Sequence, residues 1–268
     1  MSDLVTKCVE NIEKIRENKP LIHNITNFVV MNYTANVLLA TGASPVMAHA
    51  KNEVEEMVGF AGALVINIGT LTEIWVESML KAGKKASELG TPIVLDPVGS
   101  GATKLRTNAA KKIIDTSKVT IIRGNASEIL SLHTEDSKSK GVDSVHSVEE
   151  AEQSAMILAK ELGTTLAITG PTDFITDGSR VIRVKNGHPL MPVITGTGCS
   201  ATAVIGAFAA VDPDPVTAAA TGLAFFGLAG EKAGESAKGP GTMMTAILDA
   251  LYLLSSDDVY AGCRINQE

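Results

Sequence analysis

Four short apolar runs, Ala63–Ile68, Pro92–Leu95, Val119–Ile122 and Leu166–Thr169, constrain the fold of this chain more than any other feature. Each is rich in Val, Ile or Leu, does not alternate with polar residues, and meets a Gly or Asp within two residues of its end. A strand that is apolar on both faces must be covered on both faces, which is the condition of a buried parallel strand. Between the runs lie Glu73–Leu89, Ala109–Asp115 and Ser147–Leu162, whose apolar residues recur at helical spacing. Strand and helix alternate, so the expected fold class is α/β, a central, mostly parallel sheet with helices on both faces. Right-handed crossovers would place the strand C-terminal ends along one edge, and ligands bind outside that edge.

The remaining segments fit around that frame. Met1–Lys19 is charged and helix-like, with no apolar leader core. Asp173–Val184 reads as a hairpin turning at Asp177-Gly178-Ser179. Beyond Ser200 the chain is rich in Ala and Gly and helical, punctuated by Pro213, Pro215 and Gly239-Pro240-Gly241. No linker, charge block or repeat divides it, so residues 1–268 are expected to form one domain. The net charge of -7, from 23 basic and 30 acidic residues, argues against nucleic acid or an anionic membrane surface as partner. No apolar run is long enough to span a bilayer. The three cysteines, Cys8, Cys199 and Cys263, fit neither a zinc pattern nor a disulfide framework, so a reducing, cytoplasmic setting is expected.

Three loops carry chemistry. In Thr195-Gly196-Thr197-Gly198-Cys199-Ser200-Ala201-Thr202, two glycines precede a helix. Glycine permits close backbone approach, and a helix start offers unpaired N–H groups, together an anion cradle. A tight turn into a helix explains the same residues equally well. Cys199 falls in the first helical turn, where a thiol can have a lowered pKa and accept a proton from a hydroxyl; a small buried filler is the alternative. In Asp96-Pro97-Val98-Gly99-Ser100-Gly101, the carboxylate directly follows an apolar strand. In Arg123-Gly124-Asn125-Ala126-Ser127-Glu128, Arg123 suits a phosphate, while Asn125 and Glu128 read either as functional groups or as a helix cap and its partner. Asp96 and Glu128 suit Mg²⁺, which takes one or two carboxylates with water and phosphate. An anion cradle, an arginine and two carboxylates are the inventory of phosphoryl transfer, although no Walker A sequence is present. His133, His146 and His188 lie in polar, loop-like segments and are read as structural.

Taken in order, His23-Asn24-Ile25-Thr26-Asn27, Ser44-Pro45-Val46-Met47, Asn67-Ile68-Gly69-Thr70-Leu71, Asp96-Pro97-Val98-Gly99, Arg123–Glu128 and Gly196-Thr197-Gly198-Cys199 resemble the hydroxyethylthiazole kinases of thiamine biosynthesis over nearly the whole chain. The resemblance implies a ribokinase-like fold and transfer of the ATP γ-phosphate to the hydroxyethyl group of 4-methyl-5-(2-hydroxyethyl)thiazole. It implies that Met47, Gly196 and Asn24 serve the thiazole, that Arg123, Thr169 and Asn125 serve ATP, and that Asp96 and Glu128 form the Mg²⁺ region. It places Cys199, Gly196 and Gly198 at the catalytic loop and implies a homotrimer with active sites between subunits. The wider ribokinase-like class usually has Asp where this chain has Cys199. A kinase for another vitamin-precursor alcohol such as hydroxymethylpyrimidine, a nucleotide-dependent hydratase or repair lyase, and a non-catalytic ATP-binding sensor are the competing readings.

Overall fold

The computed structural model describes residues 3–133 and 148–268. His146 and Ser147 lie outside the described residues. The chain runs α1 (Asp3–Asn18), β1 (Leu21–Ile25), α2 (Met31–Thr41), β2 (Ser44–Val46), α3 (Val54–Phe60), β3 (Ala63–Asn67), α4 (Glu73–Leu89), β4 (Ile93–Asp96), α5 (Lys104–Thr116), β5 (Ile121–Gly124) and α6 (Ala126–Leu130). It continues through α7 (Val148–Leu162), β6 (Thr165–Ile168), β7 (Asp173–Thr176), β8 (Val181–Val184), α8 (Thr197–Ala209), α9 (Pro215–Gly234), α10 (Pro240–Leu253), α11 (Ser256–Gly262) and β9 (Ile265–Gln267).

The described strands form one nine-stranded sheet in the order β2-β1-β3-β4-β5-β6-β7-β8-β9. Pairing is parallel from β2 through β6 and antiparallel from β6 to β9. The apolar runs became strands because both of their faces are buried. Val65 faces a core shared with α1, α2, α8, α9 and α10, while its neighbours Leu64 and Ile66 face a second core with α3, α4, α5 and α7. Val94 against Ile93 and Leu95, and Ile121 against Ile122, repeat the division. Full burial of one such side chain contributes about 1.5–3 kcal/mol, so a one-residue slip in any of these strands would put large aliphatics in the wrong core.

Local chemistry sets the element ends. Helix α4 starts where the Thr72 side chain accepts a hydrogen bond from Trp75 N and stops at Gly90 in the left-handed region (φ 73°). The expected hairpin forms, with Asp177 accepting N–H bonds from Ser179 and Arg180. Three strands were not anticipated. In β1 the polar His23 and Asn24 disguise a buried strand, and His23 Nε2 donates to Ala48 O at 2.7 Å. The short β2 and β9 extend the sheet at its two edges, where pairing with a neighbour outweighs local propensity. Among the described residues no helix is long and apolar enough to cross a membrane.

Candidate active site

Parallel strands of equal register bring their C-terminal ends together. Asn67 closes β3 beside Asp96, which closes β4, and Arg123 lies near the end of β5 beside Ala167 of β6. Helix α8 returns across this edge. Gly196 caps it with φ 88°, in a place where a Cβ would lie 2.8 Å from Val30 Cγ1. Both features exclude other residues from that position.

Asp96 is buried, and burial pushes its carboxyl up to about 6 against the opposing attraction of Arg123. Its Oδ2 accepts hydrogen bonds from Asn67 Nδ2 (2.8 Å) and Thr202 Oγ1 (2.8 Å), and Arg123 Nη1 stands 3.9 Å away. Its Oδ1 is buried without a protein partner, as is Arg123 Nε. Two unpaired buried polar atoms at the C-terminal edge of the sheet are consistent with a place where a ligand is received. Arg123 Nη2 donates to Thr169 Oγ1 at 2.6 Å, which aims the guanidinium across the start of α8.

Arg123, Thr169, Asp173, Gly198, His188 and Phe226 are among the residues lining a cavity of about 610 Å³ beside this cluster. That size admits a nucleotide or a drug-sized ligand. His188, read from the sequence as a structural loop residue, forms part of the wall. Asp173 also lines it, with its carboxyl pushed up to about 6 by burial and its Oδ1 accepting from Gly170 N.

Cys199 occupies the third position of α8, as the Gly-rich motif predicts, but its thiol is not activated. Burial first, and the nearby Asp96 carboxylate second, push it up to about 11. N–H donors on Asn67 and Asn27 and the charge of Arg123 act the other way and are outweighed. The expected lowering from the helix start is overturned because desolvation penalises a thiolate more than partial charges favour it.

Asn125 and Glu128 form a complete capping box: Asn125 Oδ1 accepts from Glu128 N, and Glu128 Oε2 accepts from Asn125 N. The other oxygen, Glu128 Oε1, accepts from Gly99 N, which ties the Asp96 loop to α6. Asn125, Met47 and Asn24 do not line the cavity, and Asn24 is fully buried with its Nδ2 on Ile22 O.

Thr202, Asn27 and Asn67 stand inside the motifs singled out above, but nothing in those motifs gave them a role; Arg106 stands outside them. Thr202 sits one turn beyond Cys199 and reaches back to Asp96. Asn27 touches Cys199 Sγ at 3.5 Å and Asn67 Oδ1 at 2.9 Å. Arg106 donates to the carbonyls of Ile68, Val98 and Gly69, fastening two strand-end loops from below. For Asn67 a usable pointer existed, a polar residue within an apolar strand, as for Asp96 after Leu95. Nothing local pointed to Arg106.

A mostly parallel sheet between two helical layers, with a phosphate-type cradle at the strand C-terminal edge, defines a small-molecule kinase of the ribokinase-like class. A ribokinase-like superfamily protein from Enterococcus faecalis V583 shares the fold, with TM-score 0.63 and 12% identity over 88% of each chain. The family model described as hydroxyethylthiazole kinase family matches residues 12–257. The chain is 67% identical over 267 residues to the hydroxyethylthiazole kinase of Desulfotalea psychrophila, covering 100% of this chain and 98% of that one. It superposes on the hydroxyethylthiazole kinase structure from Pyrococcus horikoshii OT3 with TM-score 0.91 and 46% identity, over 98% of this chain and 99% of the other. The chain belongs to the hydroxyethylthiazole kinase family.

Proposed function

We propose that the protein transfers the γ-phosphoryl group of ATP to the hydroxyethyl oxygen of 4-methyl-5-(2-hydroxyethyl)thiazole, in the biosynthesis or salvage of thiamine. The bond from the γ-phosphorus to the β,γ-bridging oxygen breaks, a bond to the alcohol oxygen forms, and ADP, the phosphate ester and a proton leave. The observation that carries the reading is a cavity lined by Arg123 and the start of α8, with the buried Asp96 3.9 Å behind Arg123, in a chain of this family.

Arg123, aimed by Thr169, binds the phosphate chain and neutralises charge as it moves to the leaving oxygen. The N–H groups at the start of α8, bared by Gly196 and Gly198, receive the transferring group. Cys199 stays a thiol at neutral pH and orients the alcohol, a role sufficient for a loose transition state that asks little of a base. Mg²⁺, a hard cation that takes carboxylate oxygens, would be held by the unpartnered Oδ1 of Asp96, with Glu128 as the second carboxylate although its two oxygens already accept from Gly99 N and Asn125 N. When bound, that ion would supply positive charge against the phosphate chain. Asn125 is assigned to the nucleotide end.

Met47, Gly196 and Asn24 are assigned to the thiazole, with Met47 and the Asn24 segment serving a neighbouring subunit of a homotrimer. Phe28 (60% exposed) and Val29 (70% exposed), directly after Asn27, support a covered face there. The setting is cytoplasmic, and residues 1–268 act as one catalytic domain. The test is phosphoryl transfer from labelled ATP to a panel of hydroxyethyl heterocycles and a hydroxymethylpyrimidine. The thiazole is expected to be the preferred acceptor. Preference for the pyrimidine, or ATP binding with no alcohol phosphorylated, would overturn the reading.

A further inference from the structure

Two asparagines join the ends of three strands. Asn67 Oδ1 lies 2.9 Å from Gly69 N and 2.9 Å from Asn27 Nδ2, and Asn67 Nδ2 lies 2.8 Å from Asp96 Oδ2. Asn27 Nδ2 also reaches Cys199 Sγ at 3.5 Å, and Thr202 Oγ1 meets Asp96 Oδ2 at 2.8 Å. All but Cys199 and Gly69 are buried.

The direction of every amide hydrogen bond in this path follows from one backbone group. The N–H of Gly69 can only donate, so the Asn67 oxygen must face it. That turns Asn67 Nδ2 towards Asp96. Asn27 must then offer its own nitrogen to Asn67 Oδ1, and the same nitrogen meets the sulfur of Cys199. Gly69 also has to lack a side chain, because a Cβ there would lie 2.6 Å from Asn27 Nδ2. Amides do not titrate in this range, so the path holds orientation and carries no proton.

We propose that Asn67 is a positioning residue for phosphoryl transfer. With Thr202 it occupies Oδ2 of Asp96 and leaves Oδ1 for the reacting groups, and through Asn27 it fixes the sulfur that orients the alcohol. This rests on the proposed kinase reaction and adds to it a residue that touches neither substrate.

The test compares Asn67→Ala, Thr202→Val, Thr202→Ser and the double variant Asn67→Ala/Thr202→Val. Misplacing a reacting group by about 1 Å costs on the order of 10²-fold in rate, so Asn67→Ala is expected to lower kcat roughly 10- to 100-fold. The KM for ATP should stay within about twofold, as for loss of an interaction made only in the transition state. Thr202→Ser keeps the hydroxyl and should restore most of what Thr202→Val loses. The double variant should lose less than the product of the single losses, because both release the same carboxylate. If Asn67→Ala does not fold, the Thr202 pair carries the comparison. A kcat within about twofold of wild type, or a rise in KM that matches the fall in kcat, would overturn the inference. A crystal structure of Asn67→Ala gives a reading independent of turnover: the Asp96 carboxyl is expected to turn, and an unmoved carboxyl overturns the inference. If the wild-type protein phosphorylates no alcohol, the proposed function falls and this structural comparison decides the role of Asn67.

Discussion

Gly198 and Arg123 fill one another's space: a Cβ on Gly198 would lie 2.6 Å from Arg123 Nη1. The guanidinium can cross the start of α8 only because position 198 has no side chain. Gly198→Ala must therefore move Arg123 off Thr169 while leaving a helical residue with better propensity. The expected result is a rise of about tenfold in the KM for ATP, equal to about 1.4 kcal/mol of lost phosphate binding, with little change in melting temperature. Steady-state kinetics and calorimetric titration with ATP check it.

Cys199 sits where burial keeps it protonated, so replacing it separates orientation from base catalysis. Cys199→Ala is expected to lower kcat by less than about tenfold, well short of the ~10²–10⁴ that a general base supplies. Cys199→Asp restores the carboxylate usual in the wider class and is expected to keep or raise turnover. An Asp variant that folds, binds both substrates and turns over far more slowly would refute the shared role of this position.

Arg106 holds three carbonyls of the Ile68–Gly69 and Val98 loops at 2.7–3.0 Å. Hydrogen bonds from a charged donor contribute about 1.5–3 kcal/mol each, and the loops they hold carry Asn67 and Asp96 at their roots. Arg106→Ala is expected to lower the melting temperature by several degrees and kcat by about tenfold together. Calorimetry and kinetics on the same preparation measure both. An active, equally stable variant would show the clamp to be dispensable.

Asp173 links the cavity to pH-dependent stability. Its carboxyl is pushed up from an ordinary value of 3.8 to about 6, so between these values the folded protein holds the proton more tightly than the unfolded chain. Stability therefore falls as pH rises from near 4 through 6. Asp173→Asn removes this cost and keeps an oxygen for Gly170 N–H. It is expected to stabilise the fold by on the order of 2–3 kcal/mol at pH 8, at 1.36 kcal/mol per pKa unit, and by little at pH 4. Thermal unfolding at the two pH values decides; an equal effect at both would exclude titration of Asp173 as the cause.

Much of this was legible in the chain itself. The uninterrupted apolar runs around Val65, Val94, Ile122 and Leu166 require burial on both faces, and that requirement fixes strands, helical cover and the edge where a ligand sits. Gly196, Gly198, Arg123 and Asp96 could be picked out because each stands at the end of such a strand or the start of a helix. Other properties depend on groups far apart in sequence. Desolvation by residues from several elements sets the state of Cys199, and the helix start alone pointed the opposite way. The partners of Asp96 come from residues 67, 123 and 202, and the carbonyls held by Arg106 from residues 68, 69 and 98. The capping box, by contrast, is local, and Asn125 and Glu128 determined it by themselves. Periodicity and backbone constraints act over a few residues, so the sequence determined the central strands, the hairpin and the helices between them, but not β1, β2 or β9. Burial and hydrogen-bond direction are sums over the whole packed structure, so only the tertiary fold decided which groups face one another and in which protonation state.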